Sequence, residues 1–560
     1  MTETATSRSG SLPRAEPTRT AGRPFVERLA WGLRTEASPP VFAAGVAGCV
    51  LAVSTFVAAR LHAWPPHEDE TLALFVGRGS ISTLLEIVLG ERGGAPLHFL
   101  FAFLVAHLGG GLTALRVVSA LFGVASIPVV ALLAARLGGR TAGLVAAVLT
   151  SASWALLFHA VYGRMYSLFL FTSAVSFLAM LVALDRGERR FFALWGVALV
   201  LTVATHPYGA LVFGSQIVFV VLTRERARAA LWTLGIVGLV CTPFWRTDLV
   251  LAGRFDVGVG GGGDKLGGPI PVARYLATVA GDFSSGFLLV LPVVLALAGL
   301  GLWRLARTHR RSAVLVAAVI GTPTLAFLVA RLGSSASPES RHLIFALPFF
   351  SLLLATGLIF LARRPRELAP TLALAGIVVL LCVEVAWGVE KTDDLYRAEA
   401  RTRAQARASA SAWLAETTRP DDVLFGYDPL FLGAWERGGD VPRAVIPRAD
   451  AKLALAELGD LPKPLGRGVW VLDASDTNNF DPRMHITFRL PRPYWKFDGK
   501  VFGPFLVIRS RKPTRTPQEF LEQTIAVMLL GQSMWIGDAD INLLTARIAA
   551  GHYGFTARPK

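Results

Sequence analysis

The chain carries a long series of apolar stretches of about fifteen to twenty residues, separated by short clusters of arginine. A helix needs roughly 20 apolar residues to cross the hydrocarbon core of a bilayer. Such stretches lie at 41–59, 115–135, 141–159, 165–184, 191–205, 208–223, 229–247, 286–304, 312–331, 342–362 and 369–388, with one more at 96–111. With a hydrophobic content of 53% over 560 residues, the series predicts a polytopic α-helical membrane protein.

The positive charge of the chain follows the same series. A formal net charge of +16 could indicate nucleic-acid binding, but the arginines recur as small groups between apolar stretches and form no basic face with interleaved aromatic residues. We therefore assign the charge to membrane topology and expect membrane lipids, not nucleic acid, as partners. The three cysteines all lie in apolar stretches, so no disulfide framework or CxxC metal site is indicated.

Short loops rich in arginine and lysine stay on the cytoplasmic side of a membrane. The clusters lie in the N-terminal arm and at 136–140, 185–190, 224–228, 304–311 and 363–366. All of them can face the cytoplasm only if the stretch 96–111 does not cross the bilayer. We therefore predict eleven transmembrane helices in the cell membrane, with 96–111 as an interfacial or re-entrant helix on the outer side.

Three regions follow from this topology. Residues 1–40 are polar and predict a disordered cytoplasmic arm, residues 41–389 form the membrane domain, and residues 390–560 predict an extracytoplasmic α/β domain. The last region has helix candidates at 395–416 and 517–550 and strand candidates at 421–427, 468–474 and 502–510. The glycine-rich loop 248–285 predicts either a mobile lid or a slack connector.

Three adjacent carboxylates, Glu68, Asp69 and Glu70, follow the first apolar stretch. Adjacent acids repel one another, so at least one pKa should be raised unless a cation neutralises the group. Two interpretations remain open: a solvated cluster at a helix start, where negative charge is favourable, or a general base at the membrane surface. The trio could also hold Mg²⁺ or Mn²⁺ through its oxygen ligands, and no other cofactor is indicated.

Other polar residues share the predicted outer side. They are Arg164 with the flanking Tyr162 and Tyr166, His206 in THPYG, and Arg341 with His342 at the start of a late stretch. A lone arginine at a span end can also simply extend to the interface. No nucleotide pool exists outside the cytoplasm, so a transferase there would need a lipid-linked phosphate donor, arginines to bind the phosphate and a carboxylate to deprotonate the acceptor.

Several segments together resemble the GT-C glycosyltransferase superfamily, in particular the family 39 group with its protein mannosyltransferases and lipid A aminoarabinose transferases. They are DE at 69–70, APLHF at 95–99, LRVVSALFGV at 115–124, YGRMYSL at 162–168, THPYG at 205–209 and SRHLIFALP at 340–348. The resemblance covers about residues 40–390. It implies that Asp69 is the catalytic base with Glu70 beside it, and that Arg164 and Arg341 lie near the lipid phosphate.

The resemblance implies a hexosyl- or pentosyltransferase that moves a sugar from a polyprenyl-phosphate donor to a hydroxyl of a glycan, lipid or protein, by a single inverting displacement. Arg78 and Arg92 are further candidates for phosphate binding. The chain departs from the family where histidine is expected, at Gly94, and where tyrosine is expected, at His98, which leaves His98 as a candidate substitute. His342 likewise replaces a tyrosine of the family.

Two other classes of protein compete with this interpretation. A transporter or flippase of a lipid-linked glycan would carry charged or helix-breaking residues near mid-span in paired halves of the chain. The apolar stretches are mostly free of such residues, and the polar candidates lie at one interface, which favours an enzyme. A membrane anchor for the C-terminal domain would need far fewer spans than eleven.

Overall fold

The computed structural model describes residues 24–92, 96–247, 268–330, 339–397, 399–438, 442–448, 450–474, 490–534, 536 and 539–554. Most of the predicted N-terminal arm, Gly94 and the glycine-rich part of the loop 248–285 lie outside the described residues. Two predicted irregular segments contain helices: Phe25–Gly32 within the arm and Pro269–Phe283 within the loop.

The membrane region is a series of helices, most of which coincide with the predicted apolar stretches. They are α1 (Phe25–Gly32), α2 (Pro39–Arg60), α3 (Glu68–Gly77), α4 (Ile81–Glu86), α5 (Pro96–His107), α6 (Leu112–Gly138), α7 (Arg140–Ala152), α8 (Trp154–Val161), α9 (Tyr166–Arg186), α10 (Arg189–Thr205), α11 (Gly209–Thr223), α12 (Ala227–Val240), α13 (Pro269–Phe283), α14 (Leu291–Thr308), α15 (Arg310–Ala330), α16 (Leu347–Ala362) and α17 (Ala369–Lys391). A π-helix, Ile87–Arg92, follows α4, and a 3₁₀ segment, Ser340–Ala346, precedes α16.

Seven helices among the described residues are long and apolar enough to cross a membrane, and there are eight if α7 and α8, which meet at a bend of 56°, form one span. The other three of the eleven predicted spans coincide with the shorter helices α10, α11 and α12. Helix α5 has 12 residues and is therefore about 18 Å long, too short for a hydrocarbon core of about 30 Å. Helices α11 and α12, with 15 and 14 residues, are also shorter than that core, so the path of 96–111 relative to the bilayer stays a prediction.

At the bend between α7 and α8, the backbone N–H that leaves the helical pattern has a hydrogen-bond partner. Ser153 leaves the helical conformation, which frees the backbone N–H of Trp154. That N–H donates to Oε1 of the buried Glu384 on α17 at 2.5 Å. A buried carboxylate thus satisfies the backbone group that the bend exposes, as a membrane interior requires.

The basic clusters meet at one end of the bundle. Arg136 and Arg311 both pair with Asp185, and Arg311 also pairs with Glu225 at 2.8 Å. Arg34 donates to the carbonyl oxygen of Ala362 at 3.1 Å. Loops from distant parts of the chain therefore share one side, as the distribution of arginine predicted.

The C-terminal α/β region contains a five-stranded sheet with the order β2-β1-β3-β5-β4. Strands β1, β2 and β3 are parallel, whereas β5 runs antiparallel to both β3 and β4. Its elements are α18 (Asp393–Arg397), α19 (Arg401–Thr417), β1 (Val423–Phe425), α20 (Pro429–Glu436), β2 (Ala444–Ile446), α21 (Ala451–Asp460), β3 (Gly468–Asp473), β4 (Phe497–Phe502), β5 (Phe505–Ser510), α22 (Pro517–Ser533) and α23 (Ala539–His552). The predicted helix 395–416 is thus divided between α18 and α19.

The sheet region packs against α3, at the opposite end of the bundle from the basic clusters. The ring of Phe75 on α3 lies 5.4 Å from the ring of Tyr427 and 5.1 Å from that of Trp435. Glu68 at the start of α3 accepts a hydrogen bond from the backbone N–H of Tyr427 at 3.0 Å and pairs with Arg448 at 2.6 Å. The helix that carries the three carboxylates is therefore held between the membrane helices and the C-terminal α/β region.

Candidate active site

Helix α3 begins at the three carboxylates because His67 caps it. Nδ1 of His67 accepts a hydrogen bond from the backbone N–H of Asp69 at 3.2 Å, and the backbone N–H of His67 donates to Oε2 of Glu70 at 3.0 Å. This reciprocal capping box satisfies donors that a helix start leaves unpaired. Since successive residues of an α-helix lie about 100° apart around its axis, the three side chains leave the helix in different directions.

Glu70 forms a buried ion pair that the sequence did not predict. Nε and Nη2 of Arg116 on α6 donate to its two carboxylate oxygens at 2.8 and 2.7 Å, and the side chains are 0% and 2% exposed. The backbone N–H of Gly163 donates to Oε1 of Glu70 at 2.7 Å. Arg116 also donates to the carbonyl oxygens of Leu61, Trp64 and Pro65, so one guanidinium fixes the whole loop between α2 and α3.

Asp69 has a different environment. Its side chain is 27% exposed, and its Oδ2 accepts a hydrogen bond from the hydroxyl of Tyr162 at 3.0 Å and lies 3.5 Å from Nε of Arg164. Burial alone would raise the pKa of Asp69, but Arg164, with His67 and Arg341, outweighs this effect and holds the pKa well below its usual value. Asp69 is therefore an ionised, partly accessible carboxylate beside two cations.

Arg164 and Arg341 provide the positive charge of the site. The Cζ atom of Arg341 lies 5.2 Å from the centre of the Tyr166 ring, and its Nη2 pairs with Glu339 at 2.6 Å. In each arginine the Nε atom is buried and has no hydrogen-bond partner among the described residues. A buried donor without a partner costs free energy, so both guanidinium groups can bind an anionic ligand by donating hydrogen bonds to it.

The predicted histidines gather around Tyr166. The rings of His206 and His342 lie 5.4 Å apart, and they lie 5.6 and 6.1 Å from the Tyr166 ring. Nδ1 of His206 accepts from the backbone N–H of Tyr208 at 3.0 Å. The structure thus brings together residues from three turns that the sequence placed on one side of the membrane.

His98 on α5 is buried and belongs to the same neighbourhood. Burial, followed by the charge of Arg164, lowers its pKa to about 3, while Asp69 acts in the opposite direction. Its Nε2 atom is buried without a hydrogen-bond partner among the described residues. The ring is therefore neutral, and one polar atom is left for a ligand.

Arg78 lies apart from this group. Arg78 follows the last residue of α3, about 13 Å along the helix axis from Asp69, and its guanidinium lies 5.9 Å from the ring of Trp435. That ring belongs to the C-terminal α/β region, so the structure does not bring Arg78 together with Arg164 and Arg341, and its role in phosphate binding stays a prediction. The side chain of Arg92 lies outside the described residues.

The three carboxylates do not form the metal site that the sequence suggested. Glu68 pairs with Arg448, Asp69 faces Arg164, and Glu70 pairs with Arg116. Within the part of the chain that the structure describes, no group of three or more His, Cys, Asp or Glu side chains is placed to hold a metal. The trio does not fit a shared Mg²⁺ or Mn²⁺ ion because each carboxylate has a separate cationic partner.

No protein-family model matches the chain, and neither does any curated protein sequence. Among solved structures, the chain is similar to the Archaeoglobus fulgidus oligosaccharyltransferase tethered to an acceptor peptide, with a TM-score of 0.50, 12% identity and coverage of 78% of this chain and 69% of that one. It is also similar to ArnT from Cupriavidus metallidurans bound to undecaprenyl phosphate, with a TM-score of 0.49, 14% identity and coverage of 84% and 98%. The chain is a polytopic membrane protein with the GT-C fold.

Proposed function

We propose that this protein is a glycosyltransferase that moves a sugar from a polyprenyl-phosphate donor to an acceptor hydroxyl on the extracytoplasmic face of the cell membrane. One observation carries the proposal: an ionised, partly exposed Asp69 lies beside two guanidinium groups, and the buried Nε–H of each makes no hydrogen bond to any described residue. A phosphate would satisfy those donors, and the carboxylate would accept a proton. The long apolar helices around the site suit a donor with a long lipid chain.

The proposed reaction is a single displacement. The acceptor O–H gives its proton to Asp69, and its oxygen forms a bond to the anomeric carbon of the sugar. The bond between that carbon and the phosphate oxygen breaks, and its electron pair leaves with the polyprenyl phosphate. Arg164 and Arg341 stabilise the charge on the departing phosphate, and the anomeric configuration inverts.

Donor binding should also make Asp69 a better base. In the free protein the two arginines hold its pKa low, which keeps it ionised but weakly basic. A bound phosphate diester places a negative charge against the same guanidinium groups and offsets their effect on the carboxylate. The pKa of Asp69 would then rise when the donor is in place, so the base would be strongest when it is needed.

The test is transfer of label by the purified protein in lipid nanodiscs, with radiolabelled polyprenyl-phosphate sugars and a cell-envelope extract. We expect transfer by the wild type, and a loss of at least tenfold in kcat/KM for the donor in Arg164→Gln and in Arg341→Gln, since each removes a charge-assisted contact. Arg190→Gln is the matched control, because Arg190 is 72% exposed and pairs with Glu188 at the opposite end of the bundle. Wild-type protein that transfers no label from any donor would refute the proposal.

A further inference from the structure

A cavity of about 520 Å³ lies between the C-terminal α/β region and the loop that leads into α3. One wall consists of residues 64–68, and the other comes from the sheet and from helices α19, α20, α22 and α23. Its volume is within the range of about 300–1,000 Å³ that is usual for ligand pockets. None of the predicted phosphate-binding residues lines it.

The cavity coincides with a topological switch point of the sheet. The chain passes from β1 to β2 on one side and then crosses to β3 on the other side of β1. In open α/β sheets, ligands bind outside the carboxyl ends of the strands at such a point. Asp428 follows β1, Arg448 follows β2 and Asp473 ends β3, and all three side chains line the cavity.

The charges of the lining are already matched. Its three arginines are each paired with a carboxylate, Arg448 with Glu68 at 2.6 Å, Arg403 with Asp394 at 3.3 Å and Arg407 with Glu399 at 2.6 Å. Asp428 and Asp473 add further carboxylates, so the lining offers no surplus of positive charge to a phosphate. Carboxylates, guanidinium groups, the amide of Asn542 and the ring of Trp64 instead suit a neutral ligand with many hydroxyl groups.

The cavity adjoins the proposed base. His67 lines it, while Nδ1 of His67 lies 2.9 Å from the hydroxyl of Tyr162 and 3.8 Å from Oδ2 of Asp69. A chain of sugars in the cavity could therefore place its terminal hydroxyl at Asp69. Arg164 and Arg341, where the donor phosphate is proposed to bind, come from the segments that lead into the membrane helices α9 and α16, and neither lines the cavity.

We propose that this cavity binds the non-reacting part of the acceptor and that the acceptor is a neutral glycan. That the ligand is the acceptor rests on the proposed function, whereas binding of a neutral glycan in the cavity does not depend on it. The proposal selects one of the three acceptor classes that the sequence left open and makes protein and lipid acceptors alternative outcomes of the test.

Binding can be measured without a donor. Oligosaccharides released by mild acid from the source organism's cell envelope are separated by anion exchange into neutral and acidic fractions, labelled, and tested by equilibrium dialysis against the full-length protein. We expect the neutral fraction to bind, and about 10-fold to 100-fold weaker binding in Asp473→Ala and Asn542→Ala, since each removes hydrogen bonds to the ligand. Asp473→Asn keeps the side-chain volume and serves if the alanine variant fails to fold.

Two controls separate the cavity from the rest of the protein. Asp498→Asn changes an aspartate on β4 that is 53% exposed and outside the cavity, and it should bind the glycan as the wild type does. Asp69→Asn should also bind it, although it should not transfer sugar. Binding of the acidic fraction alone, or neutral binding that the cavity variants leave unchanged, would overturn the inference.

Transfer assays distinguish this inference from the proposed function. If label moves from the donor to protein or lipid and not to the neutral glycans, the proposed function stands and the inference fails. If no label moves from any donor while the neutral glycans bind in the cavity, the proposed function fails and the cavity remains a glycan site. Transfer to the neutral fraction with a raised acceptor KM, and an unchanged donor KM, in Asp473→Ala supports both.

Discussion

The ion pair between Glu70 and Arg116 yields a prediction that separates folding from chemistry. Both side chains are fully buried, and two short hydrogen bonds join them. Removal of one partner leaves the other as an uncompensated buried charge, which costs about 3–5 kcal/mol. We therefore expect Glu70→Leu and Arg116→Met each to lower the free energy of unfolding by about that amount.

The double variant Glu70→Leu/Arg116→Met should be less destabilised than either single change, because it removes both buried charges together. Denaturant unfolding in detergent micelles measures the four proteins of this cycle, and the coupling between the two sites should be several kcal/mol. Asp393→Asn is the control, since its pair with Arg397 is exposed and should contribute less than about 1 kcal/mol.

Two results would refute this reasoning. If the free energies of unfolding of the single variants lie within about 1 kcal/mol of the wild-type value, the ion pair does not stabilise the loop between α2 and α3. Additive losses in the double variant would mean that the two side chains act independently. Either result would return Glu70 to the role beside the catalytic base that the sequence suggested.

Three further outcomes follow from the described geometry. The pH dependence of kcat/KM for the donor reports the free enzyme, and its acidic limb should lie below about pH 4 because the pKa of Asp69 is lowered from its usual value. A limb near pH 6 would contradict the assignment of Asp69 as the base. Burial raises the pKa of Asp428 to about 6, so the folded state binds more protons than the unfolded state between about pH 4 and pH 6, and stability falls as the pH rises through that range. Asp428→Asn should therefore stabilise the protein at pH 7.5 by about 2–3 kcal/mol in thermal melts. An unchanged melting temperature would argue against this effect of Asp428. Gly163→Ala would place a Cβ atom 2.8 Å from Oε1 of Glu70, so we expect a loss of about 1–3 kcal/mol in the free energy of unfolding, whereas a fully stable variant would show that the contact can relax.

Much of the membrane region was predictable because its signal is local. An apolar stretch of spanning length forms a helix whatever lies elsewhere in the chain, and the position of arginine clusters then orders the spans. The same local logic placed Asp69, Arg164 and Arg341 near one another, because each lies at a span end on the same side. The short helix α5 followed from the same argument.

The partners of Glu68 and Glu70 were not predictable because they depend on contacts across long distances in sequence. Arg116 lies 46 residues from Glu70, and Arg448 lies 380 residues from Glu68. Neighbouring carboxylates suggested a common role, but the rotation of about 100° per residue in helix α3 directs them to three different partners. Conversely, Arg78 is close to Asp69 in sequence, yet the length of α3 separates them.

The C-terminal sheet shows the same limit. Strands β1, β3 and β5 lie within the three apolar segments that predicted them, since their side chains are almost all buried. Strand β2 has only three residues, and four of the six residues of the edge strand β4 are exposed, so neither carries a clear hydrophobic pattern. The cavity at the strand ends became visible only when these two strands fixed the order of the sheet.

In the proposed reaction, Asp69 removes the acceptor proton during transfer from a lipid-linked donor. The direct measurement is kcat for transfer of radiolabelled sugar from a polyprenyl-phosphate donor by wild type and Asp69→Asn in the same nanodiscs, with Asp393→Asn as a control of equal chemical change at an exposed site. We expect a fall of about 10²–10⁴-fold for Asp69→Asn at an unchanged melting temperature, and none for the control. An Asp69→Asn protein that transfers sugar at close to the wild-type rate would contradict the account.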